Sequence, residues 1–190
     1  MKTSTTSILP LRAGTYTLDQ RHSGVYFRVR HLGLSFVRGR FERFDASLLV
    51  GGSLRDIAVR ATIDLASIAT NEPARDAHLH ASESFHAHTH PAMTFNSTSI
   101  HRIGALRYLM DGLLTVRGVT KAVRLQTSFH GMEAHPGDDR VRVGFTAIGA
   151  IRRSDYGIDF NAPVGTSTLM IGETVRVAID ARFLPPRNGN

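Results

Sequence analysis

No cysteine occurs in the 190 residues, which excludes disulfides, thiolate catalysis and cysteine-held metal. No apolar run approaches the roughly 20 residues that a membrane-spanning helix needs. Residues 1–14 lack the apolar core of roughly 7–15 residues that a secretory signal carries, so a cytoplasmic address is expected. Catalytic signatures are missing too. There is no G-x-S-x-G, no P-loop, no H-E-x-x-H and no G-x-G-x-x-G, so the expectation is a protein that is not an enzyme. Lysine is nearly absent: Lys2 and Lys121 are the only two, and arginine supplies the other cations.

The formal charge is +7 and the pI about 10.7. A basic surface invites an anionic partner, whether nucleic acid, an anionic membrane or a phosphorylated ligand. The arginines are scattered along the chain, however, where nucleic-acid sites usually cluster them. A solvated arginine surface with no nucleic-acid partner is therefore the reading. Hydrophobic content of 42% and charged content of 21% are ordinary for a globular chain. The length suits one domain that buries roughly 70% of its unfolded surface.

What is present is alternation. Val25, Phe27, Val29 and His31 fall on one strand face, with Tyr26, Arg28 and Arg30 on the other. Residues 37–50 read as a long strand whose parity slips near Phe44, as at a bulge. Ile57 to Leu65, Leu106 to Val116, Val123 to Phe129, Val141 to Ile151 and Val175 to Phe183 each alternate in the same way. Gly51–Gly52, Gly104, Arg117–Gly118 and Pro136–Gly137 mark turns, and residues 164–173 read as a loop. Residues 1–13 are expected to be a flexible tail, 14–184 the domain and 185–190 a second tail.

One stretch, residues 72–97, breaks this period. Five of the ten histidines gather there. Asn71 reads as a helix N-cap, Pro73 fits a first turn, and residues 74–81 form a short helix. On it Arg75, His78 and Leu79 share a face. About eight strands with short turns and no second helical layer must close or stack. The fold class expected is all-β, a lipocalin-like antiparallel barrel with one short helix between strands. Gly112, Ala147, Gly149 and Ala181 on inward faces either leave room for a guest or ease curvature.

Short motifs then carry a resemblance. They are Y-x-L-D-x-x-H-S at 16–23, V-x-G-x-F at 37–41, S-I-x-T at 67–70 and R-D-x-H-L at 75–79. P-x-M-T-F at 91–95, G-x-L-T-V-R-G-V-T-K at 112–121 and R-x-D-Y-G-I at 153–158 complete the series. Together they resemble the YceI family of bacterial polyisoprenoid-binding proteins, over residues 14–184. The resemblance implies a barrel around an apolar tunnel for a long isoprenoid, or for a similar fatty or quinone-like lipid, with no other cofactor. It also makes His22, Arg75, Asp76, His78, Phe85, Arg153 and Tyr156 candidate site residues. Many members carry a secretory signal, which this sequence does not show.

Phe27, Phe41, Phe95, Leu114, Val143, Phe145 and Ile179 are the inward candidates for the tunnel wall, and each is equally a core residue. Arg75 and Arg153 either hold a polar head group or pair with Glu72 and Asp155. His22 either meets a ligand or satisfies local backbone. His86, His88 and His90 lie at a spacing that reaches one metal ion. That supports an alternative metal-binding or stress-response reading, against a solvated loop. A further alternative is a small enzyme acting on an isoprenoid. An exposed barrel edge would favour a homodimer.

Overall fold

The computed structural model describes residues 9–81, 89–134, 136–137, 140–159, 163–164 and 168–186. Its period-two strands wind into one sheet. Strands β1 (Gly14–Leu18) and β2 (Gly24–His31) are halves of one bent strand, interrupted by a single 3-10 turn at Gln20–His22. Strands β3 (Ser35–Phe41) and β4 (Phe44–Val50) are likewise halves, broken at Glu42 and Arg43. That break is the parity slip in the sequence. It admits residues 41 and 44 to the same interior.

Strand β5 (Ala58–Asp64) and the two-residue β6 (Ile68–Ala69) precede helix α1 (Pro73–Ala81). Four long strands follow without a second layer: β7 (Ala92–Arg102), β8 (Arg107–Val116), β9 (Val119–Ala134) and β10 (Val141–Arg152). The stretch read as a loop holds a small hairpin, β11 (Pro163–Val164) with β12 (Thr168–Leu169), and β13 already begins there (Ile171–Leu184). Each long strand pairs antiparallel with the next. β13 pairs with β10 on one side, and with β2 and the end of β1 on the other. The result is a closed barrel of eight antiparallel strands. β3 keeps one edge at residues 35–39, since beyond β2 it pairs, among the described residues, only through Arg40 and Phe41 with β6.

The two ends of the barrel differ. At one end lie α1, the β2–β3 and β8–β9 turns, and a 3-10 turn at Arg153–Tyr156. The opposite end is plugged. Tyr16, Leu48, Tyr108, Phe129, Val143 and Phe183 form a solid core there. Leu9 and Leu11 are buried in the same plug, and the Tyr16 hydroxyl donates to the Arg12 carbonyl. Arg12 in turn donates to the Pro186 carbonyl. Residues 9–13 and 185–186 therefore belong to the folded unit and are not tails: apolar side chains too few for a strand still seal an open barrel end.

A buried ion pair fixes the bend between β1 and β2. The Arg142 Nε donates to the Asp19 carboxylate at 2.5 Å, and His22 Nδ1 lies 2.9 Å from the same oxygen. Burial pushes the Asp19 carboxyl up, but the hydrogen bonds from Arg142 and His22 outweigh it and hold the group below its ordinary value. A group lowered on folding contributes stability above the usual carboxylate range and loses it as pH falls through its lowered value. Arg142→Ala strands a buried carboxylate, so it should cost about 3–5 kcal/mol in urea unfolding at pH 7. The deficit should shrink as the pH is taken below 4. Unchanged unfolding at both pH values would refute the clip.

Candidate functional site

Above the plug the barrel is hollow. A cavity of about 600 Å³ runs from the core to α1, and its walls are almost wholly apolar. The burial pattern records the same thing. Val175, Val177, Ile179 and Ala181 point inward from β13 yet are only half-buried, while Phe183 beyond them is buried in the plug. Inward side chains meeting across a filled core would be fully covered.

Phe145 forms the floor, 5.3 Å from the Phe129 ring and 6.2 Å from the Phe183 ring. Phe27 and Phe41, 5.6 Å apart, form one wall. Phe95, Leu114 and Ile179 also face the cavity. Val143 does not. It is two residues from Phe145 on the same face, but it is 0% exposed inside the plug. Gly112 and Gly149 are not room-makers either. A Cβ on Gly112 would meet the Phe95 ring, and one on Gly149 would meet Leu125 and the Arg124 carbonyl. These glycines let a large neighbour lie across the strand. Alanines do line the cavity, among them Ala46, Ala61, Ala147 and Ala181.

A polar cluster stands at the helix end. Glu72 caps α1, accepting from the backbone N–H of Ala74 and Arg75. The N-cap expected at Asn71 thus sits one residue later, and Asn71 takes a left-handed φ of 60° in the approach. Thr70 then anchors the helix. Its backbone N–H donates to Asp76, and its hydroxyl donates to Asp76 at 2.5 Å. The same hydroxyl accepts from Arg75 Nε at 2.7 Å, and the Thr70 carbonyl accepts from the Arg75 fork at 3.1 Å. Burial raises the Asp76 pKa, but the Thr70 hydrogen bonds and the Arg75 charge outweigh it, and the carboxylate is held below its usual range. The motifs at 67–70 and 75–79 are therefore two halves of one latch. It turns Arg75, His78 and Leu79 toward the cavity.

Arg153 lies at the same end and also borders the cavity. Only 4% exposed, it donates to the carbonyls of Ile158, Gly172 and Ile171, at 2.7, 3.1 and 3.3 Å. It pairs with Glu173, not with the expected Asp155. It clips the turn after β10 to the start of β13. Gly157, at φ 67°, ends that turn in the left-handed region that glycine tolerates. Tyr156 packs against Val116 and Ile158. Its hydroxyl is buried without a hydrogen-bond partner among the described residues. Burial, then the Asp155 charge, pushes its pKa to about 12.

His22 is at the far end of the barrel, in the Asp19–Arg142 clip, so it does not join Arg75 and Tyr156. Phe85, His86 and His88 lie outside the described residues. His90 is exposed and sits beside the Gly118 turn. Among the described residues no group of three or more metal-ligating side chains comes together.

A family model, the YceI-like domain, matches residues 16–183. The chain belongs to the YceI family. A UPF0312 protein of Staphylococcus aureus strain N315 is 32% identical over 171 residues, spanning 88% of this chain and 96% of its own length. Among solved structures, the YceI protein of Campylobacter jejuni has a TM-score of 0.68 at 28% identity, covering 90% of this chain and 98% of its own. BcnA of Burkholderia cenocepacia shares the fold at TM-score 0.75 and 21% identity, over 87% of this chain and 98% of its own. A polyisoprenoid-binding domain from Saccharophagus degradans shares it at TM-score 0.67 and 18% identity, over 90% and 98%. No helix among the described residues is long and apolar enough to cross a membrane.

Sequence reading missed Thr70 as the partner of Arg75 and Asp76, although the spacing of five and six residues across a turn was the available signal. Two substitutions test where this YceI barrel is hollow. Ala61→Leu adds volume into the cavity and should change urea stability by less than about 1 kcal/mol. Gly149→Leu adds it against Leu125 and should destabilise by about 1–3 kcal/mol. Equal losses in both would mean a packed interior.

Proposed function

We propose that this YceI-family barrel binds a long-chain isoprenoid or a similar amphiphilic lipid, for storage, transport or protection. The observation that carries the reading is the cavity: about 600 Å³, its walls almost wholly apolar, with Arg75, His78 and Arg153 bordering it at the helix end. That volume lies inside the roughly 300–1,000 Å³ range of small-molecule pockets. Water in such a space finds almost no partners. An apolar chain that covers the walls gains about 25 cal/mol for each Å² removed from water. The Saccharophagus degradans neighbour, described as polyisoprenoid-binding, supports the choice of guest.

The reading is one of binding, not turnover. Asp76, next to the cavity-lining Arg75, is engaged with Thr70, and Tyr156 keeps its proton to about pH 12. Phe27, Phe41, Phe95, Leu114, Phe145 and Ile179 would hold the chain, with Arg75 and His78 beside its polar end. Arg153 would serve the fold. Its removal leaves buried carbonyls without donors, each worth about 1–3 kcal/mol.

Two outcomes follow. Protein purified without denaturant should carry one lipid per chain by native mass spectrometry, and stripping it with organic solvent should lower the thermal midpoint. A stripped protein that neither loses stability nor takes up a fluorescent polyene fatty acid would end the lipid reading. Arg75→Ala should weaken an anionic-headed guest roughly tenfold, at a folding cost of about 1–3 kcal/mol from the lost bonds to Thr70. Arg153→Ala should instead act mainly on the fold, destabilising it by more than about 3 kcal/mol as three carbonyls lose their donor. The reverse pattern would exchange their roles.

A further inference from the structure

The arginines that look scattered in the sequence are brought together by strand register. Arg176 on β13 lies directly opposite Arg28 on β2, and Arg28 lies directly opposite Arg38 on β3. All three are exposed on the outer wall. No carboxylate pairs with any of them among the described residues. Like charges facing each other across strands oppose folding, so this row works against the barrel that carries it. Arg30, one step nearer the helix end, extends the row. The guanidinium carbons of Arg28 and Arg30 lie 5.1 and 4.6 Å from the centroid of the Phe36 ring.

An apolar tip stands at the same corner. The turn between β2 and β3 runs through Leu32 and Gly33, both at left-handed φ. It presents Leu34 with 85% of its surface exposed. This is the end of the barrel at which α1, Met170 and Ile171 border the cavity. A leucine projecting beyond a row of arginines, beside an apolar cavity, has the chemistry of a membrane-interface anchor. The arginines meet anionic head groups and the leucine enters the acyl boundary. Nucleic acid fits less well, because its bases need open aromatic faces and the Phe36 ring has guanidinium groups over it.

We propose that the outer face of β13, β2 and β3 at the helix end, with the Leu34 turn, docks the barrel onto an anionic lipid bilayer. Docked in this way, the helix end of the cavity lies beside the membrane surface. A lipid then exchanges with the bilayer without crossing water. That purpose rests on the lipid-binding reading above, whereas the docking does not.

The test is co-sedimentation of the full chain with vesicles of 30% phosphatidylglycerol in phosphatidylcholine, about 0.1 M salt, and with pure phosphatidylcholine. Binding should require the anionic lipid and fall as salt rises. Arg28→Gln, Arg38→Gln and Arg176→Gln together should lower the partition coefficient on the order of 100-fold. Leu34→Ser should lower it roughly tenfold. Arg124→Gln, which removes an arginine paired with Asp111 on β8, should leave it unchanged. Relief of like-charge contacts means the triple variant should be no less stable than the parent. Equal binding to neutral and anionic vesicles, or a triple variant that binds like the parent, overturns the proposal. So does tighter binding of a single-stranded RNA oligonucleotide than of the vesicles. Mass analysis of the same samples separates the two readings: vesicle binding by a parent without internal lipid supports the docking face while sinking the cargo.

Discussion

Closing eight antiparallel strands sets a bore that inward side chains either just fill or just fail to fill. In this chain they do both, at different heights. Tyr16, Tyr108, Phe129, Val143 and Phe183 meet across one end and seal it. Higher up, the inward positions carry Ala46, Ala61, Ala147 and Ala181 among the larger residues, and about 600 Å³ stays open. A void of that size holding neither water nor guest would cost on the order of 14 kcal/mol at about 24 cal/mol per Å³. That is comparable to the entire stability of an ordinary domain, roughly 5–15 kcal/mol. A guest that covers the apolar walls would remove that cost.

The polar residues at the helix end make sense in the same terms. Thr70, Arg75 and Asp76 satisfy one another and tie α1 to the strand that precedes it. Arg153 satisfies three carbonyls and ties the turn after β10 to β13. Both clusters hold irregular backbone in place beside a hollow interior, where unmet hydrogen bonds would be costly. They border the cavity while leaving its walls apolar.

The alternation of inward and outward residues was legible because a strand's period is a local property. The helix was legible as the place where that period stops. What fills the barrel was not, because cavity walls and solid core draw on the same residue types. Val143 and Phe145 sit two apart on one face, and only the tertiary packing separates plug from floor. Long-range partners were equally hidden. His22 and Arg75 were both site candidates because both fall in family motifs, yet His22 belongs to a clip made with Arg142, 123 residues from Asp19. Arg153 chose Glu173 over the adjacent Asp155 because the turn folds back toward β13. Gly149 was open to two readings, room for a guest or relief of curvature, and Leu125 lying over it excludes the first. The basic row on the outer wall needed register, which single-strand patterns do not contain.

The central claim is that the hollow part of the barrel receives an apolar chain. Crystals grown with a terminally brominated long-chain lipid would locate that chain by the anomalous signal of bromine. The account places the bromine inside the barrel, near the Phe145 floor, with the polar end toward Arg75. Bromine found only on the outer wall, with ordered water filling the interior, would contradict it.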